Sequence, residues 1–255
     1  MGLHQATVAV ITGGAQGLGR AVAERLVAEG CLRIVLSGRD LAKGERAAAE
    51  LGAVFVAAEM GDVGQVRALI AAAADRFGPV TALVNAAAVT DRASVLDCTP
   101  EEWDRQFAVN ARGPFFAIQA VAQGAIAAGR PASVVNILSM SAHCGQSFLA
   151  PYSASKAALA NVTRNAANTL RHHRIRVNGI NAGWMDTPGE DAIQRKWHGA
   201  GDDWLARAEA AQPMGSLVKP ASVAGLVSYM LSDASGVMTG SVVDFDQNVA
   251  GSYPE

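Results

Sequence analysis

The sequence predicts a doubly wound α/β fold, with one parallel sheet and helices on both faces, on three observations. Short apolar runs rich in β-branched residues alternate with longer stretches of helical periodicity. The connection from each run to the next is long enough to hold a helix, as parallel neighbours require. A cluster of glycines stands between the first apolar run and the first helical stretch.

Val8–Thr12 is the first predicted strand, and the helix after it spans Gly17–Glu29, with Leu18, Val22, Ala23, Leu26 and Val27 on one face. Leu32–Ser37 is the second strand. Val54–Ala57, Ala82–Val84, Ser133–Leu138, Arg176–Ile180 and Val242–Phe245 complete a set of seven. Helices are expected over Leu41–Leu51, Val63–Phe77, Pro100–Ala128, Pro151–His172 and Pro220–Leu231, the last opening with proline in its first turn. No linker, repeat or composition shift marks a second domain. Residues 1–255 are therefore expected to form one domain, with a loop-helix insertion at about 184–216.

At 50% hydrophobic and 17% charged, the 255-residue chain is too apolar for a disordered protein. A net charge of −2 and only four lysines argue against nucleic acid as a partner, since phosphate neutralisation needs a dense basic surface. Cys31, Cys98 and Cys144 are odd in number and have no metal-ligand spacing, which fits a reducing cytoplasm and predicts no metal. Met1–Val10 lacks the form of an export signal, and no stretch of about 18 apolar residues suggests a membrane span. Small molecules are the expected partners.

The first chemical signal is Thr12-Gly13-Gly14-Ala15-Gln16-Gly17-Leu18-Gly19, between strand and helix. Glycine backbone there can approach a pyrophosphate closely, and the N–H groups opening the helix favour an anion, as in the dinucleotide-binding Rossmann arrangement. After the second strand comes Ser37-Gly38-Arg39, where an acidic residue would hold the ribose hydroxyls of NAD. A small residue followed by Arg39 instead leaves room for a 2′-phosphate and offers it a planar cation, which predicts NADP over NAD. Asp62, before Val63, is either a hydrogen-bond acceptor for the adenine amino group or simply a helix N-cap.

The second signal is Tyr152-Ser153-Ala154-Ser155-Lys156. Residues four apart share a helix face, so the lysine would lie beside the phenol and lower its pKa, making an acid/base.

In order and spacing these residues resemble the short-chain dehydrogenase/reductase family over essentially the whole chain. The family's T-G-x-x-x-G-x-G matches Thr12–Gly19, and its catalytic tyrosine and lysine match Tyr152 and Lys156. Its serine thirteen residues before the tyrosine matches Ser139, and its helix asparagine matches Asn110. Asn181-Ala182-Gly183-Trp184-Met185-Asp186-Thr187 resembles the segment contacting the nicotinamide half of the cofactor. The sequence departs from the family at Asn85-Ala86-Ala87-Ala88, where N-N-A-G is usual, at Ala182 in place of proline, at Gln16, often basic in NADP-binding relatives, and at Asp246-Gln247-Asn248, where D-G-G is usual.

The resemblance implies an NAD(P)-dependent oxidoreductase interconverting a secondary alcohol and a carbonyl. Tyr152 would be its general acid/base, Ser139 the hydrogen-bond donor to the oxygen, Lys156 the ribose ligand and tuner of the phenol, and Asn110 the water relay. The cofactor would contact Thr12, Gly13, Gln16, Gly17, Leu18, Gly19, Gly38, Arg39, Asp62, Val63, Asn85, Ala86, Ala87, Tyr152, Lys156, Gly183, Met185 and Thr187. A homotetramer, or a homodimer, is also implied.

The substrate is read from the segments overhanging the carboxyl edge of the sheet. Ser139, His143, Gln146, Tyr152, Trp184, Trp197 and His198 mix hydroxyl, amide, imidazole and indole groups, a set suited to a sugar or polyol. A 3-ketoacyl or steroid-like substrate is the alternative. A non-catalytic dinucleotide-binding redox sensor is the reading from another class.

Overall fold

The computed structural model describes residues 2–252. Its strands are β1 (Val8–Thr12), β2 (Arg33–Gly38), β3 (Val54–Ala57), β4 (Ala82–Asn85), β5 (Ala132–Ser139), β6 (Ile175–Ala182) and β7 (Val242–Phe245). They form a single seven-stranded sheet in the order β3-β2-β1-β4-β5-β6-β7, and every neighbouring pair is parallel. The order reverses between β1 and β4, which opens a crevice at their carboxyl ends.

The helices are α1 (Gly17–Ala28), α2 (Leu41–Leu51), α3 (Val63–Phe77), α4 (Pro100–Phe107), α5 (Gly113–Ala127), α6 (Ala150–Leu170), α7 (Pro188–His198), α8 (Trp204–Ala210) and α9 (Pro220–Leu231). Strand alternation divides the core into two layers. Val8 and Val10 pack with Val66 and Leu69 of α3, Val121 of α5 and Ala167 of α6, whereas Ala9 and Ile11 pack with Val22 and Leu26 of α1, Ala47 of α2 and Val227 of α9. Helix starts are set by side-chain caps: Asp40 accepts from the Lys43 N–H, Asp62 from Gln65, Thr99 from Glu102 and Thr187 from Glu190.

All seven expected strands are present, with β5 and β6 longer at both ends than the sequence suggested. The expected insertion is α7 and α8. The continuous helix expected over Pro100–Ala128 is instead broken by a π-helical turn at Ala108–Arg112. Two residues account for the break. Pro114 has no N–H to return to the Asn110 carbonyl, and a Cβ on Gly113 would lie 2.2 Å from the Met60 carbonyl oxygen. Only glycine lets the backbone pass so close to the end of β3's exit loop.

Gly113→Ala is expected to lower unfolding free energy by about 1–3 kcal/mol, read from urea denaturation. An unchanged midpoint would mean that the helix can draw away from Met60 at no cost.

Candidate active site

The glycine loop and α1 make one end of a cleft of about 1510 Å³. Gly13 and Gly17 have φ of +69° and +54°, where side chains are strained. A Cβ on Gly19 would lie 2.4 Å from the Gly13 carbonyl oxygen, and one on Gly13 would lie 2.9 Å from the Ala87 nitrogen. Gln16, the α1 N-cap residue, makes no side-chain cap, so the first N–H groups of α1 keep their capacity to bind an anion. A dinucleotide pyrophosphate fits this bare backbone cradle.

Of the residues expected to meet a cofactor, Gly13, Gln16, Gly17, Leu18, Gly19, Gly38, Arg39, Ala86, Ala87, Tyr152, Lys156, Gly183, Met185 and Thr187 line the cleft. Thr12 and Asn85 do not, being buried behind it. Thr12 Oγ1 accepts from the N–H groups of Ala86 and Ala87 at 3.1 and 3.2 Å, and Asn85 donates to Asn136 Oδ1 at 2.8 Å. Both therefore support the wall.

Asp62 and Val63 also lie off the cleft. Both Asp62 carboxylate oxygens are occupied by Gln65, so its N-cap alternative is the one observed, and these hydrogen bonds hold its pKa below the usual carboxylate range. Glu59 and Met60, three and two residues earlier, occupy the wall instead.

At the same end, Arg39 Nη1 lies 3.6 Å from Glu59 Oε2. Lys43, which the sequence reading overlooked, also lines the cleft and donates to Gln16 Oε1. Its signal was its place in the first turn of a helix whose N-cap, Asp40, follows Arg39.

Ser139, Tyr152 and Lys156 come together farther along the cleft. Ser139 ends β5, and α6 carries the other two. Ser139 Oγ accepts from the Ser141 N–H at 3.2 Å and lies 2.9 Å from the Ser141 hydroxyl, which donates to it. Ser139 also hydrogen-bonds the Tyr152 phenol, so both hydroxyls meet at one point of the cleft. Ser141 was not anticipated.

Lys156 is buried and donates to the Ile137 carbonyl at 2.8 Å, and burial pulls its pKa down to about 8. Burial pushes the Tyr152 phenol up to about 12; hydrogen bonding by Ser139 and the charge of Arg92 oppose the rise, and Glu190 adds to it. This corrects the expectation that Lys156 lowers the phenol. Lys156 Nζ stands 5.7 Å from the centre of the Tyr152 ring, committed to Ile137 rather than to the hydroxyl.

Asn110 lies in the π turn, fully buried and off the cleft. Its side chain accepts from the Val89 N–H and donates to the Val89 carbonyl, both at 2.9 Å, and reaches Ser155 Oγ at 3.0 Å. A relay from that amide group is not what the geometry offers.

Among the expected substrate residues, Gln146, Trp184 and His198 line the cleft with Ser139 and Tyr152. His143 does not. Its Nε2 lies 2.8 Å from Asp244 Oδ1 of β7 and 2.7 Å from Asn181 Nδ2 of β6, so it is turned toward the sheet edge. Trp197 is also off the cleft, with Lys196 Nζ 4.5 Å from its ring centre. Glu190 of the insertion and Arg92, which was not anticipated, also face the cleft. Among the described residues no group of side chains is arranged to hold a metal, and no helix is long and apolar enough to cross a membrane.

A nucleotide cradle joined to a serine, tyrosine and lysine on one parallel sheet defines a class of dinucleotide-dependent oxidoreductase folds. Comparison with known proteins agrees. A family model described as enoyl-(acyl carrier protein) reductase matches residues 13–247. A sorbitol dehydrogenase of Cereibacter sphaeroides is 33% identical over 246 residues, covering 93% of this chain and 95% of the relative. An NADP-dependent (R)-specific alcohol dehydrogenase of Lentilactobacillus kefiri is 34% identical over 245 residues, 93% of this chain and 94% of the relative. A solved structure described as a short chain dehydrogenase/reductase family protein superimposes with a TM-score of 0.81 at 33% identity, covering 96% of this chain and 97% of that one. The chain belongs to the short-chain dehydrogenase/reductase family, whose members use NAD(P).

Buried Lys156 and half-buried Tyr152 make stability depend on pH in a stated way. Lys156 titrates near 8 when folded against 10.5 ordinarily, so between those values the unfolded chain binds the extra proton and stability rises with pH. Tyr152 holds its proton to about 12 against 10.0 ordinarily, so stability falls again across that interval. Urea titrations of the cofactor-free protein should show wild type gaining up to about 3 kcal/mol on Lys156→Met between pH 8 and 10.5. A difference that stays flat across this window would place the lysine in water.

Proposed function

We propose that the chain is an NADP-dependent oxidoreductase interconverting a secondary alcohol and a carbonyl on a sugar, polyol or related small polar molecule. The observation carrying this reading is the Ser139 hydroxyl, which accepts from Ser141 and hydrogen-bonds the Tyr152 phenol, on the same cleft wall as Lys156. The nicotinamide, when bound, supplies or accepts the hydride.

In reduction, Tyr152 gives its proton to the substrate oxygen as general acid, and Ser139 donates a hydrogen bond to the charge growing there. A phenol raised to about 12 is wholly protonated at neutral pH, the form this step requires. Oxidation runs the contacts in reverse. With one Lys156 N–H spent on Ile137, two remain for ribose hydroxyls. Asn110 would position the water linking that lysine to solvent.

Arg39 and Lys43 are the cations available to a 2′-phosphate. Of the nearby carboxylates, Asp40 is engaged as a helix cap and Glu59 pairs only loosely with Arg39. The L. kefiri relative is named as NADP-dependent, and the C. sphaeroides relative as acting on sorbitol. Assembly into a homotetramer or homodimer would use the face where Phe107, Ala111 and Phe115 meet Val162 of α6.

Nicotinamide absorbance with polyols and their ketoses tests the chemistry. Tyr152→Phe should reduce turnover by about a hundredfold to ten-thousandfold while dinucleotide binding, followed by fluorescence, persists. A near wild-type rate in this variant would sink the assignment. Arg39→Asp should move the NADP-to-NAD ratio of kcat/KM by about tenfold or more toward NAD. Faster wild-type turnover with NAD would refute the role given to Arg39.

A further inference from the structure

Arg92 occupies the loop after β4, at the substrate end of the cleft. Its neighbour Ala93 is clamped to the segment leading into α6, with the Ala93 N–H donating to the Phe148 carbonyl at 3.0 Å and the Ala150 N–H to the Ala93 carbonyl at 3.1 Å. Arg92 is thus fixed relative to Tyr152, two residues farther on. Phe148 lies beneath the guanidinium, 5.4 Å from ring centre to Cζ.

The cation is poorly satisfied there. Nη1 donates to the Thr90 carbonyl at 3.2 Å, Nη2 reaches His198 Nε2 only at 3.4 Å, and Nε is sealed from solvent with no partner. Among the described residues no carboxylate lies within ion-pairing distance of Arg92. Asp91 beside it is taken by Arg105 at 2.6 Å and Lys196 at 3.6 Å. Glu190, across the cleft, accepts from Trp184 Nε1 at 2.8 Å and Gln194 Nε2 at 2.7 Å. Burial pulls the Arg92 pKa down, in keeping with a cation short of water and counter-charge. A guanidinium in this condition at the mouth of a catalytic cleft lacks an anion, and its planar fork suits a carboxylate or phosphate.

We propose that Arg92 binds an oxyanion carried by the substrate itself, on the same molecule as the reacting alcohol or carbonyl. This rests on the oxidoreductase reading and narrows its substrate class from neutral polyols to acidic ones, sugar acids or sugar phosphates.

The test compares three six-carbon probes, D-glucitol, D-gluconate and D-glucitol 6-phosphate, with NADP and wild type, Arg92→Leu and Arg92→Lys. Wild type should favour one anion over glucitol by about tenfold or more in kcat/KM, and whichever anion wins identifies the source of the charge. In Arg92→Leu that anion-to-neutral ratio should fall about thirtyfold, with partial recovery in Arg92→Lys. A merely structural arginine would lower both rates together and leave the ratio in place, overturning the proposal, as would a wild-type preference for glucitol. Should no probe turn over, the oxidoreductase reading on such substrates fails separately, and calorimetry of gluconate and glucitol 6-phosphate with the protein decides the site. Binding that Arg92→Leu abolishes upholds the anion site, and no binding overturns it.

Discussion

The cleft depends on how β1 and β4 part at the switch point of the sheet. Their chains leave toward opposite faces, and the amides just beyond β4 have no strand to pair with. Thr12 Oγ1 accepts from both the Ala86 and Ala87 N–H groups, while its own proton turns to the Val84 carbonyl at 3.4 Å. Left unpaired in the interior, each amide would cost about 1–3 kcal/mol. One hydroxyl thereby fixes the glycine loop against the opposite wall, and the close approach at Gly13 follows from the same contact. The loop continuing through Val89 to Arg92 inherits its position.

A second set of buried polar contacts holds α6. Asn85 donates to Asn136, whose own amide donates to Thr163 Oγ1 at 2.9 Å, and Thr163 donates back to the Leu159 carbonyl at 2.8 Å. Asn110 adds the bond to Ser155. Apolar packing alone would tolerate small slides of one helix across a sheet. These amides do not, because any shift leaves a buried donor or acceptor without a partner. Tyr152 and Lys156 are consequently presented from a helix held in one place against Ser139, as hydrogen bonds of fixed length to a reacting oxygen require.

What could be seen in the sequence was whatever depends on neighbours along the chain. Strands buried on both faces are continuous apolar runs, and the Tyr152 and Lys156 pair is a local i,i+4 relation. The glycine loop is equally local. The break in the helix over Pro100–Ala128 was partly visible in Gly113 and Pro114, but the decisive contact, Met60, comes from another strand's exit. His143 was assigned to the substrate because it lies between serine and tyrosine, yet Asp244 and Asn181, distant in sequence, turn it away. Arg92 carries no local signature at all. A loop arginine is ordinarily solvated, and only the folded arrangement of Phe148, Thr90 and His198 half-buries it and seals its Nε from water.

Two charges act on the Tyr152 phenol from opposite sides. A phenol raised by burial holds its proton and stands in the form that donates. Arg92 is the charge that pulls the phenol down, and Glu190 the one that pushes it up. An anion seated on Arg92 would cancel the first and leave the second. The contact proposed to recognise an acidic substrate would then hold Tyr152 more firmly in its donor form, coupling recognition of the substrate's anionic end to protonation of its carbonyl.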